Sequence, residues 1–341
     1  ADLSDVPPPR DPQDARVGRL VCGRYEIRRV VAEGGMGRVY EALDRTAIRH
    51  VALKILHADV AADQVVLARF QREFEVSRLL THRHVVEVID LLPTEDQSHA
   101  LVMEYLHGEV LRGLLWRERV VAPDRLVRMV SQLALALDEA HALRLVHRDL
   151  KPENLFSCPS TAGDRVKILD FGSVRDNTAS ARKLTVLGTT IGSPFYMAPE
   201  QAQGLDTLDH RADVWAMAAI VYECVTGQVP FSGTNGPSIL LEILTREPIP
   251  PSRAAAGARF PVPVALDRVL AEAFQKAPER RTPTVGALAD ALGAAYGLDG
   301  DHRNWAVTSQ EALAGQLGAE RPLSLVGRRP AAATARAAGP S

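Results

Sequence analysis

The sequence predicts an α+β protein of two lobes: a small antiparallel sheet carrying one helix, then a larger and mainly helical lobe. Three observations lead there. Between Tyr25 and Leu56 the chain runs through three short segments rich in Val, Ile and Tyr, the composition of paired strands. After Tyr105-Leu106-His107-Gly108 the apolar residues recur at three and four instead, which is helical spacing. Asp213–Thr226 is apolar nearly all round and closed by Gly227, so it reads as the buried centre of the helical lobe.

Taken in order, residues 1–24, with Pro7-Pro8-Pro9 and Pro12, can bury little and read as a flexible N-terminal segment. The strands Tyr25–Val31, Val39–Leu43 and Val51–Leu56 follow. Asp63 to Leu80 then sets Val66, Phe70, Phe74, Ser77 and Leu80 on roughly one face, which predicts a helix. Val85–Leu91 and Ala100–Met103 add two strands and complete a small lobe over 25–104. In the large lobe, 105–295, Pro123 suits a first helical turn, and Leu126, Met129, Val130, Leu133, Leu137 and Ala140 continue on one face. Val264–Phe274 and Thr284–Tyr296 read as closing helices. Residues 296–341 read as a linker or tail, ending in a run of Ala, Arg and Gly.

With 341 residues, 46% of them hydrophobic, the chain can supply one such core. Its 40 basic and 42 acidic residues nearly cancel, which gives no general attraction to nucleic acid or to an anionic membrane. Three cysteines without a C-x-x-C pair suggest neither a disulfide framework nor a zinc site, and point to a reducing, cytoplasmic compartment. The longest strongly apolar stretch contains Glu223 and falls short of the ~20 residues of a membrane span. The chain opens without Met and stops in an Ala-rich run, which leads us to expect a segment of a longer protein, with an anchor outside it left open.

Chemistry is first suggested by Ala32-Glu33-Gly34-Gly35-Met36-Gly37-Arg38-Val39, between two predicted strands. Glycines let a hairpin bring backbone N–H groups against phosphate oxygens, although most such hairpins are simply turns. No helix follows it, and no G-K-[ST], which argues against a dinucleotide site and a P-loop. Next, Lys54 in Val51-Ala52-Leu53-Lys54 alternates to the face opposite Val51 and Leu53. Glu73, nineteen residues on, is available as its counter-ion, and a lysine so held could grasp phosphates; Arg69 and Arg72 compete for the same carboxylate. The decisive stretch is His147-Arg148-Asp149-Leu150-Lys151-Pro152-Glu153-Asn154, followed by Asp170-Phe171-Gly172. One Asp to take a hydroxyl proton, with an Asn and a second Asp to bind Mg²⁺, suffices for in-line phosphoryl transfer.

With these motifs the chain resembles the eukaryotic-like, or Hanks-type, serine/threonine protein kinases, and Gly34-Gly35-Met36-Gly37 with Phe195-Tyr196-Met197-Ala198-Pro199-Glu200 is similar to their bacterial branch. The resemblance spans roughly Tyr25 to Leu292 and implies a two-lobed protein kinase fold over 25–295. It also implies ATP and Mg²⁺ as cofactors, serine and threonine side chains of proteins as acceptors, and a role in signal transduction. Carried over by residue, it implies Asp149 as catalytic base, Lys151 as stabiliser of the transferring group, Lys54 with Glu73 as the phosphate-holding pair, and Asn154 and Asp170 as Mg²⁺ ligands. Val31, Ala32, Gly34, Gly35, Met36, Gly37, Val39 and Ala52 would cover the nucleotide. Met103 would be the gatekeeper, Glu104 and Leu106 would offer backbone hydrogen bonds, and Phe156 would form the floor. The alternative for the apolar members is plain core packing. Glu200 would pair with Arg281, and Asp213 would hold the backbone at His147 and Arg148, both as supports of the fold.

Arg148 before Asp149 is the mark of kinases switched on by a phosphate between Gly172 and Ser193. There Thr185 ranks first, then Thr189 and Thr190, and a transient homodimer would serve autophosphorylation. The pattern departs in two places. Ala32 replaces the first glycine of the loop, and His82-Arg83-His84 stands where the family has His-Pro-Asn, which predicts a looser turn behind the helix of Glu73. The rival readings are a pseudokinase that binds partners or nucleotide without catalysis, a small-molecule phosphotransferase, which would lack Ala198-Pro199-Glu200, and an input module for a further domain.

Overall fold

Alternation along the strands builds the small lobe. A computed structural model describes residues 14–34, 37–57, 63–96, 98–171, 194–205 and 208–319. Six antiparallel strands, β1 (Leu20–Val21), β2 (Tyr25–Gly34), β3 (Gly37–Asp44), β4 (Arg49–Leu56), β5 (Val88–Pro93) and β6 (His99–Glu104), form one sheet in the order β1-β2-β3-β4-β6-β5. Because side chains alternate along a strand, Val51, Leu53 and Ile55 of β4 are buried with Tyr25, Ile27 and Tyr40, while Ala52 and Lys54 point to the other face. That face receives α1 (Gln64–Leu79), whose Phe70 joins Leu56, Val86, Leu101 and Met103. Among the described side chains, Phe70, Glu73, Val76 and the following Leu80 are buried, so a carboxylate lies on the face a helix normally reserves for apolar groups.

The large lobe begins with β7 (Glu109–Val110), α2 (Leu111–Glu118) and α3 (Pro123–Ala142). A hairpin, β8 (Leu155–Cys158) and β9 (Arg165–Ile168), pairs with β7 in a three-stranded sheet. Further on come α4 (Pro199–Ala202), α5 (Arg211–Thr226), α6 (Gly236–Thr245), α7 (Pro251–Ala254), α8 (Ala265–Ala273) and α9 (Val285–Ala295). Helix α5 is buried from Ala212 to Thr226 and stops at Gly227, whose φ of 72° suits a residue without a Cβ. Trp215 within it stacks on Phe231 and meets Phe274 edge-on. Beneath α4, the Arg281 guanidinium bonds both oxygens of Glu200, at 2.8 and 2.9 Å, in a pair almost closed to solvent.

Both ends of the chain carry more structure than composition suggests. Residues 14–24 are not a loose lead-in. Asp14 accepts hydrogen bonds from Tyr40 Oη (2.7 Å) and Arg38 (2.8 Å), and Leu20 and Val21 pair with Glu26 and Tyr25. Polar bonds to the sheet, together with Val21 buried in its core, hold this segment, so overall hydrophobic density misses it. Residues 296–319 are not a tail either. They form α10 (His302–Val307) and α11 (Gln310–Ala319), burying Trp305 and Leu313 in the main core. The Trp305 ring lies where a Cβ on Gly293 would stand, 2.1 Å from the nearest ring atom, so this glycine makes room for the indole. Asp301 caps α10 through the Asn304 N–H, and the Trp305 indole N–H donates to Asp299 O at 3.1 Å.

Trp305→Ala should therefore destabilise the large lobe by about 3–5 kcal/mol, as large aromatic truncations in cores do. Urea unfolding would show it as a lower midpoint; an unchanged midpoint would return 302–319 to the status of a tail.

Candidate active site

Between the lobes, β4 and α1 bring Lys54 and Glu73 together. The Lys54 ammonium donates to Glu73 Oε2 at 2.8 Å and to Asp170 Oδ2 at 3.3 Å. Arg72 instead reaches Glu75. Burial works to lower the Lys54 pKa, but the charges of Glu73 and Asp170 outweigh it and hold the group well above its ordinary value. Burial first, then the charge of Asp170, push the Glu73 carboxyl upward against the pull of Lys54. Two carboxylates share one lysine, which leaves an excess of negative charge suited to a bound cation.

Asp149 sits on the loop after α3, in the other lobe. Its Oδ2 accepts from Lys151 Nζ at 2.7 Å, and the Asn154 amide donates to its carbonyl at 2.8 Å. With that amide nitrogen engaged, the Asn154 oxygen is the atom left for a metal, and with Asp170 it supplies two hard oxygen donors. Mg²⁺ normally takes only one or two such protein ligands and keeps waters for the rest, so this pair fits it. The loop backbone is pinned from below: the N–H groups of His147 and Arg148 each donate to Asp213 at 2.8 Å, and Arg148 is thereby held at φ 66°. The carbonyl of Arg148 accepts from Gln201 at 2.8 Å, and His141 Nε2 meets Asp213 at the same distance. Neither Gln201 nor His141 stands out in the sequence, since only the fold brings them to this loop.

Of the nucleotide-facing residues, Ala52 pairs with Met103 across β4 and β6, and Leu106 and Leu169 pack on the same cluster. Val31 lies at an irregularity of the β2–β3 ladder between Val30 and Ala32, where a bulge re-aims a side chain. Val39 pairs with Ala32 on one side and Lys54 on the other. Gly34 pairs with Gly37 at the hairpin's end, and Gly35 and Met36 lie outside the described residues. Phe156, on β8, lies against Gly108 at the end of the linker between lobes. The Glu104 N–H donates to Glu87 O at 3.0 Å, and its carboxylate bonds Lys167, a partner the sequence did not reveal. Thr185, Thr189, Thr190 and Ser193 lie outside the described residues.

The turn at His82-Arg83-His84 is not loose. Buried His84 bonds Val166 O through Nδ1 at 2.8 Å, its carbonyl accepts from Ile168 N–H at 2.9 Å, and Val86 N–H donates back to Ile168 O. The imidazole, at the position where the family has asparagine, bonds β9 and so ties the helix carrying Glu73 to the large lobe.

A family model described as the protein kinase domain matches residues 25–287. Among curated relatives, serine/threonine-protein kinase pkn3 of Myxococcus xanthus is 38% identical over 277 residues, 80% of this chain and 50% of its own length. PknE and PknB of Mycobacterium tuberculosis are 39% and 35% identical, over 80% and 78% of this chain and 46% and 42% of their own lengths. The chain thus spans half or less of the curated relatives it matches. Among solved structures, the kinase domain of Mycobacterium tuberculosis PknI aligns with a TM-score of 0.60 at 27% identity, covering 82% of this chain and 98% of that one.

Burial, with the charges of His82, Arg83 and Lys167, depresses the His84 pKa to about 4, against the ordinary 6.5, although its bond to Val166 works the other way. The unfolded chain then binds a proton that the folded chain refuses, so this contribution is complete above about pH 6.5 and is lost as pH falls through about 4. Over the whole window it amounts to roughly 3 kcal/mol. His84→Asn should show a shallower loss of stability between pH 7 and 4.5 in urea titrations, and identical slopes for parent and variant would contradict the assignment.

Proposed function

Because the chain belongs to the protein kinase domain family, we propose that it transfers the γ-phosphate of ATP to serine and threonine hydroxyls of proteins. The observation that carries this reading is the double contact of Lys54 with Glu73 and Asp170, which joins both lobes around one ammonium while Asp149, Lys151 and Asn154 stand together beside it. In this reading Lys54, aimed by Glu73, binds the α- and β-phosphates, and the backbone of the Gly34–Gly37 hairpin covers them. Mg²⁺, held by Asn154 and Asp170, would neutralise charge on the phosphates. Asp149 orients the acceptor hydroxyl and takes its proton as the oxygen bonds to the γ-phosphorus and the bond to the β-phosphate oxygen breaks, releasing ADP. Lys151 offsets the charge on the transferred group. Val31, Val39, Ala52, Met103 and Phe156 enclose the adenine end, with backbone hydrogen bonds from Glu104 and Leu106, and Ala32 opens the loop over the phosphates.

Regulation belongs to the same proposal. Phosphate on Thr185, or on Thr189 or Thr190, would be drawn to Arg148, which adjoins Asp149. Transfer between two copies would supply it, and a location in the cytoplasm suits the unpaired cysteines. Among the described residues no helix is long and apolar enough to cross a membrane.

Incubated with Mg·ATP, the parent chain should gain phosphate on residues between 172 and 193, as read by intact mass and peptide mapping. Asp149→Asn should slow this about 10²–10⁴-fold, the usual contribution of a general base. Failure of the parent to phosphorylate itself or added proteins would favour a nucleotide-binding scaffold. The initial rate per molecule should rise with protein concentration; a constant rate would place the transfer within one chain.

A further inference from the structure

Three arginines from three separate elements meet around one cavity of about 150 Å³, lined by none of the residues assigned to the nucleotide cleft. Arg83 comes from the turn after α1, Arg128 from α3 and Arg165 from the start of β9; His84 adjoins them, and Val307 of α10 closes the rim. Among the described residues no acidic side chain lines the cavity.

The positive charge here is unmatched. Arg128 is only 7% exposed, and its bonds go to neutral carbonyls, Thr308 O at 2.8 Å and Asp164 O. The Asp164 carboxylate itself is engaged by Arg125 and Ser157. Arg83 and Arg165 have neither an ion pair nor a side-chain hydrogen bond among the described residues, whereas Arg24, Arg112 and Arg281 each hold carboxylates. Burial, then the charges of Arg83 and Arg165, press the Arg128 guanidinium below its ordinary value, with Asp164 opposing them. The three groups are therefore close enough to repel one another, an arrangement that an anion between them would relieve.

Guanidinium forks match the oxygens of carboxylates and phosphates, and three of them call for more than a single negative charge. A phosphomonoester carries about −1.5 to −2 near neutral pH. A cavity of about 150 Å³ is of the size that admits a benzene ring, enough for a phosphoryl group, so the remainder of the ligand would project past Val307. We propose that this cavity binds the phosphate of a phosphomonoester, at a site separate from the ATP cleft. Inorganic phosphate and an esterified phosphate present the same group to it.

The test is calorimetric titration of the parent chain, its nucleotide cleft filled with Mg·ADP, against inorganic phosphate and against O-phosphoserine at constant ionic strength. It requires no phosphoryl transfer, so it stands whether or not the chain is an active kinase. Saturable binding of one equivalent is expected, weakened at least tenfold in the Arg83→Gln/Arg165→Gln variant, whose altered side chains are exposed and should leave the unfolding midpoint in place. Each single variant should show a partial loss, which serves if the double variant folds poorly. Tighter binding of phosphoserine would identify an ester as the ligand, and equal binding would identify free phosphate. Absence of saturable heat, or equal affinity in parent and variants, would overturn the proposal.

Discussion

A single carboxylate organises the chemistry of the large lobe. Asp213 is wholly buried at the start of α5, yet accepts hydrogen bonds from His141 Nε2 and from the N–H groups of His147 and Arg148. Burial works to raise its pKa, but these bonds and the neighbouring imidazoles overcome that and keep it ionised. The ion thus ties α3, α5 and the loop of Asp149 to one point, and it compensates for the left-handed backbone at Arg148, a conformation that costs about 1–3 kcal/mol in a non-glycine residue. Asp149 and Asn154 inherit their positions from that loop. Arg148 shares the constraint from above, because Gln201 of α4 takes its carbonyl and so couples the loop to the helix anchored by Glu200 and Arg281.

The cleft depends in turn on a second buried carboxylate, Glu73, which has to arrive from the other lobe. Helix α1 could rock freely were it held only by apolar contacts, since dispersion has little directionality. Two features fix it. At its centre Glu73 is bonded to Lys54, and behind its end the turn at His84 is stitched to β9 by backbone and imidazole hydrogen bonds. Asp170 follows β9 by two residues, so the same strand that anchors the helix also presents the second carboxylate to Lys54. Small lobe, helix and metal-ligand candidate are therefore linked through one strand.

What could be read from the sequence was what is encoded locally. Strand alternation placed Lys54 opposite Val51 and Leu53, helical spacing found α1, α3, α5, α8 and α9 to within a few residues, and the motif around Asp149 named the chemistry. The partnership of Asp213 with the loop and of Glu200 with Arg281 came through resemblance, and the distances agree. What escaped depends on contacts across long stretches of chain. Trp305 has no periodic neighbours and gains its place only because Gly293 leaves a gap for it. Asp14 lies in a stretch too polar to suggest structure and is held by Tyr40, 26 residues away. His84 looked like a weakened turn because the familiar residue was missing, yet a different side chain makes a bond of its own.

The glycine hairpin shows why a missing motif residue need not mean a missing function. Its positions answer to different demands. A Cβ on Gly37 would stand 2.1 Å from Ile55 O, so the close approach of β4 alone excludes any other residue there. Among the described residues a Cβ on Gly34 would meet only Gly37 O, at 3.8 Å, which is ordinary contact, so packing against them does not demand glycine there. Ala32 is exposed on β2 and pairs with Val39 next to the bulge at Val31, so its methyl group has room without displacing a neighbour. Replacement of the first glycine is therefore compatible with the hairpin's geometry, whereas replacement of the last would separate β3 from β4 and shift Lys54 with it.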